Sequence, residues 1–384
     1  MQAWRFREVR VRMFCMMVGR IISVLVVFWL VLVPCWGQEK KRENVLLHPD
    51  KFYRKYMPGF RVKPNPPDTA YIKTYPNYLS ANMHVLSPAI QMQVRQRGDG
   101  TPGVASTFKT NITDVIGFAA SYRFIAAGFA FLSNSGMNLR SHYVRSRYRT
   151  ATIKYSGAAR SFQFKYIRIR GFTDVRQLGD RERYVLRPDM VSKEFQFEGM
   201  HNFSWRKYSY IAPITFAQRQ VKSRVGFLLK AGAYYTQISG DSALLNARQR
   251  PYFKELNDAR ILRTVGARIA PGIGCNLVFR KRIYFSLAAF TSADLYFYKY
   301  LQHPDEKRAA QTHLVFVLDS KAGLGYHTRR FYAGVRYDLE QRNGPLKGLV
   351  INNVYQYTGI ELGYRFDAPK IVKKVYKKTM PPGM

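Results

Sequence analysis

Apolar and polar side chains alternate along one stretch near the end of the chain, from Val354 to Phe366. Every second residue is largely apolar, while the residues between them are aromatic, small or charged, such as Tyr355, Glu361 and Arg365. Because successive side chains of a strand point to opposite faces, this pattern predicts a strand with one apolar and one mixed face. A soluble sheet with one wet face gives the same pattern, so the choice between the two depends on the other segments.

The clearest hairpin precedes that strand. Residues 316–327 and 331–340 alternate in the same way and are joined by a short turn at residues 328–330. Similar runs of about 9 to 15 residues continue back to Leu79, separated by two- or three-residue turns and by long polar loops. A tilted membrane strand needs about 9–11 residues. Short turns alternating with long loops are typical of transmembrane β-barrels.

Thirteen such segments can be counted between Leu79 and Phe366, whereas a single-chain bacterial barrel has an even number of strands. The alternation of long and short connections also slips near residues 218–223. We therefore predict an all-β fold, an antiparallel transmembrane β-barrel of about 12 strands within a range of 10 to 14. In this prediction Tyr208 to Ala217 is a strand and Gly171 to Pro188 is a long charged loop.

The ends of the chain differ in composition from the predicted barrel. Residues 1–37 combine an Arg-rich start, an apolar run and a Pro-Cys-Trp-Gly ending, which predicts a cleaved signal peptide. An uncleaved membrane anchor is the alternative. We expect residues 38–77 to be a basic, proline-containing periplasmic lead-in, residues 78–366 to be the barrel and residues 367–384 to be a basic tail. Disorder is the expected state of this tail, and contact with an anionic surface is the alternative.

Composition and charge narrow the class of protein. Aromatic residues make up 15% of the chain, with 27 Tyr and 26 Phe, although the mean hydropathy is slightly polar. A barrel with an apolar exterior, a polar interior and aromatic girdles combines these features. The net charge is +38, and without residues 1–37 it is 57 basic minus 23 acidic residues, or +34. No nucleic-acid-binding motif accompanies this charge, so we expect outer-membrane lipid and lipopolysaccharide as partners and no nucleic acid.

Motifs for chemistry are missing from the sequence. It contains no GxSxG, HExxH or phosphate-loop pattern, and none of its seven histidines has a second histidine at ligand spacing. Cys275 is the single cysteine after the leader, which excludes an internal disulfide in the mature chain. We predict no catalytic residue, no metal, no cofactor and no enzymatic activity. A lipid hydrolase built on the barrel is one alternative, but Ser320 and His327 fall on opposite faces of their strand.

Polar residues concentrate on the mixed faces of the last three strands. If the apolar faces point to lipid, these residues point into the barrel, where charges either line a water-filled pore or pair to seal the lumen. A salt-bridged lining is the leading interpretation, with transport or gating as the alternative. The predicted lumen-lining cluster is Asp319, Lys321, His327, Arg336, Asp338, Glu340, Glu361 and Arg365.

Three runs resemble an uncharacterised family of predicted bacterial outer-membrane β-barrels, classed only as a domain of unknown function. They are DTAYIK at residues 68–73, the segment from Phe203 to Gly232, and the segment from Tyr234 to Ser242. The resemblance covers residues 65–366 and implies an envelope location and a barrel, with no catalytic residue. Tyr364 and Phe366 also look like the C-terminal insertion signal of such barrels, although here a tail of 18 residues follows the signal.

The expected function follows from these observations. It is that of a protein in the bacterial outer membrane, secreted by the signal peptide, with a structural, assembly or passive transport role. The barrel-assembly machinery and an envelope protein are the expected partners. A soluble basic β-protein that binds polyanions is the remaining alternative, and it predicts salt-sensitive retention on DNA.

Overall fold

The computed structural model describes residues 66–96, 105–112, 114–132, 142–178, 181–245, 258–302, 312–346 and 349–379. The predicted signal peptide and residues 38–65 of the predicted lead-in lie outside the described residues. The strands are β1 Ile72–Thr74, β2 Tyr78–Gln96, β3 Ala105–Lys109, β4 Val115–Tyr122, β5 Ile125–Leu132, β6 Arg147–Ser156, β7 Arg160–Leu178, β8 Arg181–Asn202, β9 Gln218–Gln220, β10 Arg224–Ser239, β11 Ala259–Phe279, β12 Ile283–Gln302, β13 Thr312–His327, β14 Phe331–Leu346 and β15 Leu349–Asp367. The helices are α1 Ala212–Thr215 and α2 Lys370–Thr379, and neither of these described helices is long and apolar enough to cross a bilayer.

The main sheet closes on itself. All its pairs are antiparallel, and the last strand, β15, pairs with both β14 and β2. The closing register runs from Phe366 opposite Leu79 to Leu349 opposite Gln96, so the seam is hydrogen-bonded along its whole length. A closed sheet has no free edge. The prediction of an all-β barrel of about 12 strands is confirmed.

Two strands form one interrupted member of this ring. β3 and β4 both pair with β2, β3 opposite its second half and β4 opposite its first half. On its other side β4 pairs with β5, whereas β3 pairs directly with β7. The β5–β6 hairpin is thus inserted between β4 and β7 over only part of the barrel height. Twelve strands close the barrel at one end, and ten close it at the other.

The two ends of the barrel differ in their connections. Four tight turns, at residues 123–124, 157–159, 280–282 and 328–330, lie at the same end as the start of β2 and the finish of β15. We call this the turn end. The longer connections, such as those between β10 and β11 or β12 and β13, lie at the opposite end, the loop end. The ring of twelve strands is at the turn end.

Side chains sort strictly by face. On β15, Tyr355, Tyr357, Glu361 and Arg365 are buried in the lumen, whereas every second residue from Thr358 to Phe366 is exposed on the outer face. The outer face carries large apolar side chains on every strand from β4 to β15 except the short β9, and none of them is covered by another layer of described residues. The buried charged side chains, such as Lys230, Arg268 and Asp319, are inside. This is the inverse of a water-soluble fold, in which the apolar faces meet in the core.

Three expectations from the sequence are wrong. Residues 208–217 are not a barrel strand; they belong to an insert between β8 and β10 that lies inside the lumen and includes α1. Residues 171–188 are not a loop, because β7 continues to Leu178 and β8 begins at Arg181. The tail after β15 is not disordered along its whole length, because it contains α2.

Candidate functional site

An insert between β8 and β10, residues 203–223, fills the turn end of the lumen, and we call it the plug. Its backbone is fixed by side-chain amides of the wall and of the plug itself. Asn202 Nδ2 donates to the Tyr208 carbonyl at 2.8 Å, and Asn276 Nδ2 donates to the Ser209 carbonyl at 2.8 Å. Gln220 accepts from the Ser209 amide at 2.8 Å and donates to the Lys207 carbonyl at 2.7 Å. An irregular segment can be buried only when its backbone groups are satisfied in this way.

Tyr208 shows how closely the plug fits the wall. Its ring lies over Gly226 on β10 and Gly274 on β11, and a Cβ atom at Gly274 would come within 1.9 Å of the tyrosine hydroxyl. A Cβ atom at Gly226 would meet the ring at 2.2 Å. Glycine within a strand often marks such a close approach. These two glycines therefore form a recess in the wall that the tyrosine ring occupies.

Arg365 on β15 joins the plug to the turns. Its guanidinium donates to the carbonyls of Thr328 and Arg329 at 3.1 and 3.2 Å, and to the carbonyl of Phe216 in the plug. It also lies over the ring of Tyr75, 4.1 Å from the centroid. Arg365 is fully buried. A guanidinium presents five donors in a rigid fork, which suits simultaneous binding of several carbonyls.

Phe216 holds the other side of this contact. It ends α1 in the left-handed region, at φ +53°, which is uncommon for a bulky residue. Its ring stacks on Tyr332 at 4.4 Å and meets His327 edge-on at 5.5 Å. The packing of the ring against β13 and β14 offsets the cost of the backbone conformation, which is about 1–3 kcal/mol.

Part of the lead-in covers the plug. β1 pairs with β9 as a separate two-stranded sheet, and the Val221 amide donates to the Tyr71 carbonyl at 2.7 Å. Ile72 of β1 is almost completely buried. Burial raises the pKa of the Tyr75 hydroxyl above its usual value, so this side chain stays neutral under Arg365. The sheet and the plug close the turn end together.

An ion-pair network crosses the middle of the lumen. Arg268 on β11 binds Asp294 on β12 at 2.6 Å and Asp319 on β13 at 2.7 Å. Asp319 also accepts from Lys230 on β10 at 2.8 Å. The side chains of Arg268, Asp294, Asp319 and Lys230 are almost completely buried, each at 0–5% exposure. Lys230 has a second partner, Glu198, which is 18% exposed. Buried charges persist only when paired and hydrogen-bonded, and here each is paired.

A second set of ion pairs reaches the opposite wall. Arg342 on β14 binds Glu194 on β8 at 2.5 Å, and Tyr355 donates to the second oxygen of Glu194 at 2.9 Å. β8 and β14 are five strands apart in either direction around the ten-strand ring, so this pair spans the lumen. The middle of the lumen is therefore obstructed by side chains from opposite sides.

The loop end of the lumen is apolar. A cluster of buried side chains from β2, β3, β7, β8 and β11 fills it, together with Leu244 and Leu245 from the connection after β10. Arg187 holds that connection in place by donating to the carbonyls of Ala243 and Leu244 at 2.9 and 3.0 Å. The lumen thus consists of an apolar layer, an ionic layer and the plug.

A cavity remains between the ionic layer and the plug. It has a volume of about 190 Å³ and lies behind the β5–β6 hairpin, extending toward the turn end as far as Ser121, Ser156 and Ser161. Lys154 and Lys165 line the wall side, and Ile211 and Ile214 of the plug line the other.

All eight residues of the predicted lumen cluster lie in the lumen, but in two groups. Six belong to ion pairs: Asp319 as above, Lys321 with Glu340 at 3.4 Å and Asp338 at 3.9 Å, and Arg336 with Glu361 at 3.5 Å. His327 and Arg365 instead contact the plug. Tyr364 and Phe366, predicted as the insertion signal, lie on the outer face with their rings 4.8 Å apart.

Sequence reasoning missed most partners of these charges. The missed residues are Glu194, Glu198, Lys230, Arg268, Asp294 and Arg342. Their signal in the sequence is a charged residue at an inward position of an otherwise apolar strand. Ser320 and His327 do face opposite sides of β13, because His327 is buried against the plug and Ser320 is on the outer face. Within the described ranges, no group of three or more His, Cys, Asp or Glu residues is arranged to hold a metal ion.

Comparison with solved structures finds barrels of bacterial outer membranes. They include the translocator domain of the autotransporter NalP from Neisseria meningitidis, at 13% identity over 84% of this chain and 99% of that chain, with a TM-score of 0.35. The outer membrane protease OmpT from Escherichia coli is similar at 11% identity over 77% of this chain and 98% of that chain, with a TM-score of 0.34. The beta domain of the Bordetella autotransporter BrkA matches at 8% identity over 76% of this chain and 100% of that chain, with a TM-score of 0.33.

Sequence comparison identifies the family. No curated protein matches the chain significantly. The profile of one family matches residues 66–366, which begin with the lead-in that covers the plug and end with the strand that closes the barrel. The chain belongs to this family, which is described as a domain of unknown function (DUF4421).

Proposed function

We propose that this protein is a barrel of the bacterial outer membrane whose lumen is sealed, with a structural or assembly role and no enzymatic activity. The observation that carries the proposal is the inverted distribution of side chains, apolar outside and ionic inside, on a closed sheet. Apolar side chains on the outside of a barrel have their lowest free energy when they face lipid and not water. A signal peptide at residues 1–37 would deliver the chain across the inner membrane.

The filled lumen favours the structural role over diffusion through the barrel. An open channel needs a continuous water-filled path, but the apolar layer, the Arg342–Glu194 pair and the plug each obstruct the path. The turn end would face the periplasm, because short turns lie on that side in bacterial barrels. There the β1–β9 sheet would be available to an envelope partner. Tyr364 and Phe366 would be presented to the assembly machinery, and the outer face to lipid and lipopolysaccharide.

Fractionation and conductance test the proposal together. We expect the protein in the outer-membrane fraction, with faster gel mobility in unheated detergent than after heating. In planar bilayers the purified protein should give no stable open-channel steps. Recovery in the soluble fraction would remove the membrane assignment, whereas large, steady channel steps would remove the sealed lumen but keep the membrane assignment.

A further inference from the structure

The β5–β6 hairpin widens the lumen on one side only. The diameter of a barrel grows with its number of strands, so the turn end with twelve strands is wider than the loop end with ten. The plug does not fill this extra width, because its large side chains pack toward the opposite wall. Tyr208 lies on β10 and β11, and Phe216 packs on Tyr284 and Tyr332 of β12 and β14. The cavity of about 190 Å³ occupies the remaining space.

The two walls of the cavity differ in chemistry. The barrel wall presents two ammonium groups, from Lys154 on β6 and Lys165 on β7, with the hydroxyl group of Thr152 on the same inner face. The plug presents the apolar side chains of Ile211 and Ile214. Such a cavity, polar on one side and apolar on the other, is typical of sites for small ligands with one charged end.

The carboxylates around the cavity already have partners. Four of them contribute to its lining, and each lies within 4.0 Å of a cation. The pairs are Glu198 with Lys230, Asp338 and Glu340 with Lys321, and Glu361 with Arg336. In the part of the chain that the structure describes, neither Lys154 nor Lys165 lies within salt-bridge distance of a carboxylate or donates a hydrogen bond. Lys165 instead faces the ring of Tyr357, 4.8 Å from its centroid.

The two ammonium groups are close enough to share a ligand. Lys154 stands opposite Gln163 and Lys165 stands opposite Thr152, so the lysines are diagonal neighbours on adjacent strands. Diagonal neighbours on one face have Cα atoms about 7–8 Å apart, within reach of long side chains. An anion with two or three oxygens can accept from both. Removing ammonium groups from bulk water is costly, and a bound anion would offset that cost.

We propose that the cavity behind the β5–β6 hairpin binds a small anion through Lys154 and Lys165, with a phosphate or carboxylate group at the two ammonium groups and any apolar part against Ile211 and Ile214. The anion is either a free solute or the headgroup of an anionic lipid. This inference goes beyond the sealed barrel. It depends on the lumen alone and holds whatever surrounds the barrel.

Isothermal titration of the full chain with inorganic phosphate, in a phosphate-free zwitterionic detergent, tests the free-solute source. We expect saturable binding of one phosphate per chain. The double variant K154M/K165M should bind at least about tenfold more weakly, because each hydrogen bond to a charged group is lost. The matched control is K373M on the exposed part of α2, which should bind as the wild type does. Gel mobility without heating checks that each variant is folded.

Native mass spectrometry of the purified protein tests the lipid source. An anionic lipid retained by the wild type and by K373M, but not by K154M/K165M, supports the site with a headgroup as ligand. Phosphate binding in titration, lost in the same double variant, supports the site with a free anion. If neither ligand binds, or if binding survives in K154M/K165M and so comes from the basic surface, the proposal is wrong. Neither experiment measures channel conductance. A negative result would therefore reject the anion site without contradicting the proposal that the lumen is sealed.

Discussion

Arg342 on β14 and Glu194 on β8 meet across the barrel, their side chains 2.5 Å apart and both at most 4% exposed. Their strands lie on opposite sides of the lumen, and Tyr355 completes the contact by donating to Glu194. A pair of this kind depends on closure of the whole sheet. The contact therefore indicates that the barrel is closed, and it also helps to obstruct the lumen.

Removing one member of this pair should destabilise the barrel more than removing both. Glu194→Ala leaves the Arg342 guanidinium buried with only Glu340, at 3.8 Å, as a carboxylate partner, and should cost about 3–5 kcal/mol. The double variant E194A/R342A should recover part of that loss. Samples of the wild type, E194A and E194A/R342A are heated in detergent to increasing temperatures before electrophoresis. The temperature at which the compact form disappears from the gel ranks the three proteins by stability.

The exposed pair of Arg330 and Asp367 provides the control for that series. Its atoms are 3.0 Å apart, but the side chains are 49% and 71% exposed. Solvent screens an exposed pair, so its contribution to stability is small and R330A should shift the temperature little. Equal losses in E194A and R330A would contradict the assigned role of the buried pair. In bilayers, E194A/R342A should show more frequent conductance events than the wild type if the pair obstructs the lumen.

Gly274 should tolerate no side chain. In Gly274→Ala the new methyl group would come within 1.9 Å of the Tyr208 hydroxyl, so the plug must move. We expect a loss of about 1–3 kcal/mol and faster tryptic cleavage at Arg206 and Lys207 within the plug. Limited proteolysis in detergent measures the second effect.

Gly323→Ala is the matched control for this variant. Gly323 also lies on an inward position of the wall, but the nearest atom to a new Cβ there is the Val335 carbonyl oxygen, at 3.7 Å. That is ordinary van der Waals contact, so neither stability nor cleavage should change by much. Equal sensitivity of the two sites would mean that the plug does not pack against β10 and β11 as described.

Arg365→Lys should release the plug while keeping the charge. The ammonium group of lysine presents a point charge, and it lacks the planar fork that binds the Thr328, Arg329 and Phe216 carbonyls at once. We expect faster proteolysis of the plug in R365K with the barrel still folded. The control is R330K, whose parent residue lies exposed in the neighbouring turn. Unchanged proteolysis in R365K would show that the other contacts of the plug are enough to retain it.

Two outward positions on β11 distinguish lipid from water around the barrel. Ile273 and Phe279 share the outer face and are 48% and 56% exposed, but Phe279 is at the turn end and Ile273 is six residues further along the strand. In a bilayer, Ile273→Arg should cost about 2–4 kcal/mol and Phe279→Arg about 0–1 kcal/mol. Folding titrations in urea with lipid vesicles measure both. In water the two substitutions would have similar, small effects.

The alternating segments predicted the barrel and its approximate strand number. In each strand, apolar side chains recur at every second residue on the outer face, and this pattern does not depend on which strands are paired. The segment at residues 208–217 escaped this reasoning. It is apolar because it packs on tyrosines and phenylalanine inside the lumen, and hydrophobicity alone does not distinguish burial in protein from burial in lipid. The Pro at position 213, next to the start of α1, was the local signal against a strand.

The other errors also have physical reasons. Residues 171–188 look like a loop because seven of these 18 residues are charged and they interrupt the alternation. The structure nevertheless buries Phe172 and Val175 and exposes Leu186, as in a strand pair. The lysines at positions 370, 373, 374, 377 and 378 do carry a signal, since spacings of three and four residues mark one face of a helix. Which charges meet across the lumen, as Glu194 and Arg342 do, depends on closure and register, and these are not local properties.

The short strands β5 and β6 have a consequence for how the molecule opens. β5 has 8 residues and β6 has 10, against 16 to 22 for every strand from β10 to β15 and for β7 and β8. Fewer backbone hydrogen bonds hold this hairpin to its neighbours, so it is the section of wall where fluctuations cost least. We therefore expect local opening of the barrel wall to begin at this hairpin, while the longer strands on either side of it stay paired.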